Sequence, residues 1–486
     1  MSEPTSGRRR SRPTGLIALF TVVSVATVGG LIGYRPLMDA TGWGAASSSL
    51  PTASLPGPSS GTSPSTQATS TATPTPADVP ADGAGLVELP GTSSAGPLPT
   101  AARLAQRIRA AAVPGVGTTS GYVVDAATGQ RLFSSRSATP LIPASTMKVL
   151  TTLALLDSVD PGTTFDTRVV QAATGQIILV GGGDPYLTAK PDTTYPRAHS
   201  ATELASLTAR ALKASGTTTV TLGFDDTLFT GPDWHPAWPA GYHSNVTPIH
   251  ALWFDEGRPA TGGAASRTPA VAAATTFASL LKARGITVKG TPTAKRAPAS
   301  SIEVARVASM PVELLVAEAL RHSDNSATEV LLRQVALANG QPGSFTGGTT
   351  ALVARLQALG VEDPGARIVD GSGLSRSNLV PARMLASAIR VATTTPELSP
   401  LLEGLPVAGV SGTLAARFFD ETALPGRGWV HAKTGTLTKV STLAGYTTTK
   451  QGRVVVFAFM SNGATNEWGV RVWLDKVTGA ISSCGC

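Results

Sequence analysis

The stretch PASTMKVLTTLALL, residues 143–156, admits two readings. A proline and a hydroxyl residue ahead of an apolar run is how an ordinary core helix begins. The same letters put Ser145 and Lys148 three residues apart, on one face of a first helical turn, where an amine can take a proton from a hydroxyl. Free N–H groups and the dipole at a helix N-terminus favour the negative charge that such an attack develops. The amine serves as a base only if its surroundings lower its proton affinity toward neutrality. The chain carries a control for coincidence, because Ser279 and Lys282 in FASLLKARG repeat the spacing. That second pair falls at the end of its helix, before Gly285, where the dipole opposes an oxyanion. It reads as surface decoration.

Two distant segments weigh on the choice. HSDNSATE (322–329) contains Ser323-Asp324-Asn325, the only Ser-x-Asn, and HAKTGT (431–436) contains Lys433-Thr434-Gly435, the only Lys-Thr-Gly. Each has a plain structural reading. Ser326 and Glu329 form a capping box for the following helix, and Lys-Thr-Gly suits a strand end at a turn. The order Ser-x-x-Lys, Ser-x-Asn, Lys-Thr-Gly, with the last opening a strand near the C-terminus, is the signature of serine penicillin-recognising enzymes. GGGDPYL (181–187), DGSGLSRSN (370–378) and LPVAGVSGTLAARF (405–418) stand in order around it. With these six motifs the chain resembles the D-alanyl-D-alanine carboxypeptidase/endopeptidase family, the class C low-molecular-mass penicillin-binding proteins, over most of residues 101–480.

The resemblance implies an acyl-enzyme peptidase. Ser145 is the nucleophile on the penultimate D-alanine carbonyl and Lys148 its base. Ser323 relays a proton to the leaving amine, and Asn325 holds the substrate amide and orients Lys148. Lys433 supplies positive potential. Thr434 and Thr436 bind the terminal carboxylate, with Gly435 between them in the substrate-binding strand. The backbone N–H groups of Ser145 and Thr436 form the oxyanion hole. Asp184 and Arg376 are candidates for the ammonium and carboxylate of a diamino acid in the peptide. Peptidoglycan stem peptides are the expected substrates and β-lactams the expected covalent inhibitors. No cofactor and no metal is expected. A β-lactamase, or a non-catalytic penicillin-binding sensor or cell-wall-binding protein, would share the fold; the insert and the GGGDP and DGSGLS segments favour the peptidase.

Other classes fit poorly. Ala432 stands where a P-type ATPase has its phosphorylated aspartate before KTGT, GGGDP lacks the Gly-Lys-Ser/Thr of a phosphate loop, and no HExxH occurs. His235, His243 and His250 are expected to be structural. The net charge of +8 owes much to Arg8, Arg9, Arg10 and Arg12, so nucleic-acid binding is not expected.

Those arginines (tail, 1–13) precede an uncharged apolar run, residues 14–34, long enough to cross about 30 Å of hydrocarbon. It is expected to be an uncleaved anchor with the remainder extracytoplasmic; cleavage would instead release the protein. Residues 35–100, rich in Ser, Thr, Pro and Ala, are expected to be a disordered linker reaching roughly 40 Å. The catalytic domain is expected at 101–167 and 301–486, and an inserted β-rich domain with one helix at 168–300. The expected fold is α/β (α+β): an antiparallel sheet flanked by helices, with a hairpin at 121–135 and another around Lys450-Gln451-Gly452. Cys484 and Cys486 are the only cysteines, two residues apart, and read as a frayed tail.

Overall fold

The computed structural model describes residues 96–192, 199–258 and 264–486. The expected basic tail, the anchor at 14–34 and nearly all of the linker lie outside the described residues. No described helix is long and apolar enough to cross a membrane.

In chain order, α1 (Ala101–Ala110), β1 (Thr118–Asp125), β2 (Arg131–Ser135), the short β3 (Pro140–Leu141) and α2 (Met147–Leu156) come first. The middle comprises β4 (Thr167–Ala173), β5 (Gln176–Val180), α3 (Ala201–Ala214), β6 (Thr219–Asp225), α4 (Pro269–Lys282), β7 (Thr287–Ala294) and β8 (Ile302–Val307). Then follow α5 (Val312–Arg321), α6 (Asn325–Ala338), α7 (Phe345–Ala358), β9 (Val380–Pro381), α8 (Ala382–Thr394) and α9 (Pro400–Glu403). Strands β10 (His431–Leu437), β11 (Val440–Thr448) and β12 (Val454–Asn462) and helix α10 (Glu467–Ser482) close the chain.

The first sheet has the order β10-β11-β12-β1-β2 and is antiparallel throughout. Its centre joins the beginning of the domain to its end, β1 beside β12. The residues of β12 alternate between two cores as strand period requires. Val456, Ala458 and Met460 face α2 and α8, and Val455, Phe457 and Phe459 face α1 and α10. All ten residues of α2 are buried, so this helix is a strut between the sheet and the surrounding helices.

Three expectations need correction here. HAKTGTLTKVSTLAGYTTT is not one strand but two, reversing at Thr438 and Lys439, where Lys439 has φ +60°. A Thr-Lys turn carries none of the Gly or Asn signals of a tight hairpin, which is why the break was invisible. The insert is mixed α/β rather than β-rich with one helix. Its sheet runs β7-β6-β5-β4-β8, with β5, β6 and β7 parallel, and both α3 and α4 pack on it. β8 pairs with β4, so this sheet extends to Val307. The C-terminal tail is docked: Cys484 is buried beside Leu104 and Ile481, the Cys486 carbonyl accepts from Thr100 N at 2.9 Å, and the two cysteines are disulfide-bonded.

Candidate active site

Ser145 stands on a single 3₁₀ turn, Ala144–Thr146, that runs directly into α2. The turn is fixed from three sides. Ala144 has φ +47°, and Gly373 (φ +83°) lies so close that a Cβ there would be 1.9 Å from the Ala144 carbonyl oxygen. The hydroxyls of Thr146 and Thr442 each donate to the Pro143 carbonyl at 2.7 Å. From the sheet side, a Cβ on Gly435 would fall 2.6 Å from Pro143 O and 3.1 Å from Ser145 N. Only a glycine lets β10 approach the Ser145 turn this closely.

Lys148, one turn into the helix, is wholly buried. Its ammonium donates to Ser145 Oγ at 3.2 Å, Asn325 Oδ1 at 2.7 Å and the Ser372 carbonyl at 2.8 Å. Burial pulls its pKa down to about 8, against the opposing pull of Asp324, Glu329 and Asp370. The geometry thus holds a serine hydroxyl against an amine whose proton affinity is lowered toward neutral pH.

Asn325 begins α6, and Asp324 caps that helix by accepting from Ala327 N at 2.9 Å. The capping box expected of Ser326 and Glu329 is therefore absent. Ser326 Oγ instead accepts from Thr247 N at 3.1 Å, and Glu329 Oε1 accepts from the N–H groups of Gly371 and Ser372 at 3.1 and 2.7 Å. The amide of Asn325 is turned toward Lys148 because its Nδ2 donates to the Asn245 carbonyl at 2.9 Å. Ser323, half-buried, sits in the left-handed turn (φ +58°) between α5 and α6, two residues from Asn325.

On β10, Lys433 is fully buried and donates to the Thr434 carbonyl at 3.0 Å. Burial and the charge of Lys148 push its pKa well below the ordinary lysine value. Thr434 Oγ1 lies 2.8 Å from Thr413 Oγ1, whereas Thr436 is exposed. Arg376 is also exposed and donates to the Thr438 carbonyl at 3.1 Å, which places it beside the outer end of β10.

Asp184 is not part of this group. It is buried, accepts from Tyr186 N at 2.9 Å within its own turn, and burial raises its pKa to about 7. The glycines before it are held by Ala251 and by Gln334 on α6. None of its described contacts reaches Ser145, Lys148 or β10. The decoy pair also stays apart: Ser279 Oγ, exposed, bonds back to the Thr275 carbonyl, and Lys282 is the last residue of α4.

Sequence reasoning missed the wall that holds these groups. Asp370 accepts from Gly373 N, Ser375 N, Asn378 Nδ2 and, across from the insert, Trp238 Nε1, at 2.6–2.8 Å. An aspartate heading DGSGLSRSN could have been read as a loop organiser. The Asn245 carbonyl left no signal, because it acts through backbone alone. Of the three insert histidines, His235 packs across to Phe345 of α7, while His243 stacks on Trp234 and His250 lies between Asp226 and Asp233. Burial opposes the charge on His250, but the two carboxylates outweigh it and raise its pKa. A separate cavity of about 520 Å³ lies on the insert, lined in part by Arg168, Arg296 and Arg306; Arg306 is already paired with Asp166 and Glu303.

A family model described as D-Ala-D-Ala carboxypeptidase 3 (S13) matches residues 101–262 and 255–472. A carboxypeptidase of Mycobacterium tuberculosis is 39% identical over 77% of this chain and 82% of its own length. Carboxypeptidase DacB of Mycolicibacterium smegmatis is 36% identical over 80% of this chain and 86% of its own. Among solved structures, penicillin binding protein 4 of Haemophilus influenzae matches with a TM-score of 0.65 at 22% identity, covering 78% of this chain and 98% of its own. That likeness concerns the fold.

Proposed function

Because this chain belongs to the D-Ala-D-Ala carboxypeptidase 3 (S13) family, we propose that it removes the terminal D-alanine of peptidoglycan stem peptides through an acyl-enzyme at Ser145. The observation that carries the reading is Lys148: buried, 3.2 Å from Ser145 Oγ, with a pKa brought down to about 8. Such an amine is a competent base for a serine hydroxyl near neutral pH.

In this reading Lys148 Nζ takes the Ser145 proton as Oγ attacks the carbonyl carbon of the penultimate residue. The oxyanion forms against the N–H groups of Ser145 and Thr436, a pair of donors of the kind whose loss slows turnover about 100- to 1000-fold. The C–N bond then breaks, and the proton passes from Lys148 through the Ser323 hydroxyl to the departing amine. Water hydrolyses the ester and restores Ser145. Lys433 has no carboxylate bonded to it among the described residues. The terminal carboxylate of the substrate would supply one, held also by Thr434 and Thr436, and would return the full charge to Lys433.

Arg376, exposed at the end of β10, is the group we assign to a carboxylate on the peptide side chain. Arg376→Glu should lower kcat/KM for peptides bearing that carboxylate about tenfold or more and leave acylation by a simple β-lactam nearly unchanged. Equal losses on both would remove the assignment. The apolar segment 14–34 would tether the domain outside the cell, within reach of the wall.

The test of the activity is D-alanine release from a pentapeptide ending in D-Ala-D-Ala. Wild type should release it and Ser145→Ala should not. Release by both, or by neither, would refute the reading. Cross-linked muropeptides in a parallel assay measure endopeptidase action.

A further inference from the structure

Glu329 lies one turn beyond Asn325 on α6 and is wholly buried. No feature of the sequence gave it more than a capping role, and it does not cap. Its Oε1 accepts from two consecutive peptide N–H groups, Gly371 and Ser372, and the carbonyl of Ser372 accepts from Lys148. The same loop is gripped from α2, where Thr151 Oγ1 donates to the Gly371 carbonyl at 2.7 Å. A continuous path therefore runs from a carboxylate on α6, through the backbone of Ser372, to Lys148 on α2.

The second oxygen, Oε2, is buried without a hydrogen-bonding partner among the described residues. Its neighbour Asp370 differs, since four donors converge on that carboxylate. Glu329 takes both backbone donors on one oxygen, with a further hydrogen bond from the Ser372 side chain, whereas four donors are spread over both oxygens of Asp370. Burial and the charge of Asp370 push the pKa of Glu329 up to about 8, the range to which Lys148 falls. The charged groups acting on Lys148 are Asp324, Glu329 and Asp370, with Lys433 from β10; Arg333 on the same helix interacts with Glu329.

We infer that Glu329 is a positioning residue for Lys148: it fixes the carbonyl that accepts one Lys148 hydrogen bond, and its charge decides when Lys148 becomes the free base. With both groups titrating together, the pair loses protons in two shared steps. In the intermediate form the single proton resides on either Lys148 or Glu329, and only the second arrangement leaves the amine able to accept the Ser145 proton. This rests on Ser145 being the acylated residue.

The experiment is the pH dependence of β-lactam acylation by Glu329→Gln, which keeps the Oε1 acceptor and removes the charge. Loss of a nearby negative charge disfavours the ammonium, so the acid limb should move to lower pH by about one unit. At pH 6, where Glu329 with its pKa of about 8 is already neutral, the two proteins should acylate alike, and the difference should open between about pH 7 and 9. A folded variant with an unmoved limb would overturn the inference, because loss of mere packing lowers stability without shifting that limb. If Glu329→Gln does not fold, ¹⁵N titration of lysine amines in wild type, assigned with Lys148→Arg, decides the matter. A two-step curve for Lys148 is expected; a simple one-proton curve would overturn the coupling. Labelling that persists in Ser145→Ala would refute the site itself, an outcome distinct from either result.

Discussion

At the scale of single residues, the chemistry depends on where burial puts a charge. Lys148 has all three N–H donors engaged and no direct carboxylate contact, so desolvation wins and its pKa falls to about 8. β-Lactam acylation should therefore rise with pH through about 8, the limb reporting conversion of Lys148 to its neutral form. A pH–rate profile flat from 6 to 9 would contradict this. The same group makes a stability prediction. An unfolded lysine holds its proton up to about 10.5, whereas the folded one releases it near 8. Between those values the unfolded chain binds more protons, so stability rises with pH across that window. Denaturant melts at pH 8 and 10 measure the sign, and comparison with Lys148→Arg isolates this residue. That Ser145, Lys148 and Asn325 meet was legible because their motifs combine few residue types at fixed spacings. The place of Asp184, buried in its own turn, was not legible, because a turn-forming aspartate and a ligand-binding one look alike in a sequence.

At the scale of elements, two glycines, Gly373 and Gly435, let separate segments meet at the Ser145 turn. Gly435 brings β10 against the Ser145 turn, with a Cβ position 2.1 Å from Thr442 Oγ1. Gly435→Ala should cost about 1–3 kcal/mol of stability and reduce acylation by about a hundredfold, on the scale of misplacing a reacting group by an ångström. Thermal melts and labelling rates check the two halves separately; wild-type acylation would show that the close approach is dispensable. The long, regular elements were readable: α1, the β1–β2 hairpin, α4, α5, α6 and α10 follow apolar periodicity and turn signals. The β10–β11 reversal and α3 were missed. One lacks turn residues; the other has Leu204, Ala205, Thr208, Ala209 and Leu212 on one buried face behind the Ser200 cap, a helical signal that the expectation of a β-rich insert overlooked.

At the scale of the whole described domain, the insert forms part of the wall of the site. It contributes the Asn245 carbonyl to Asn325, Thr247 N to Ser326 and Trp238 Nε1 to Asp370, above an apolar seam that includes Trp238, Trp253, Phe345 and Leu374. Trp238→Phe removes one donor to a buried carboxylate, which should cost about 1.5–3 kcal/mol and slow acylation. A variant as stable and as fast as wild type would show that this contact is passive. Such contacts between segments distant in the chain cannot be read from local pattern. The central claim is that Ser145 is the residue acylated. Incubation of the full chain with a fluorescent penicillin, comparing wild type with Ser145→Ala, tests it directly. We predict a stable covalent label on wild type and none on Ser145→Ala; equal labelling of the two, or none on either, would contradict the account.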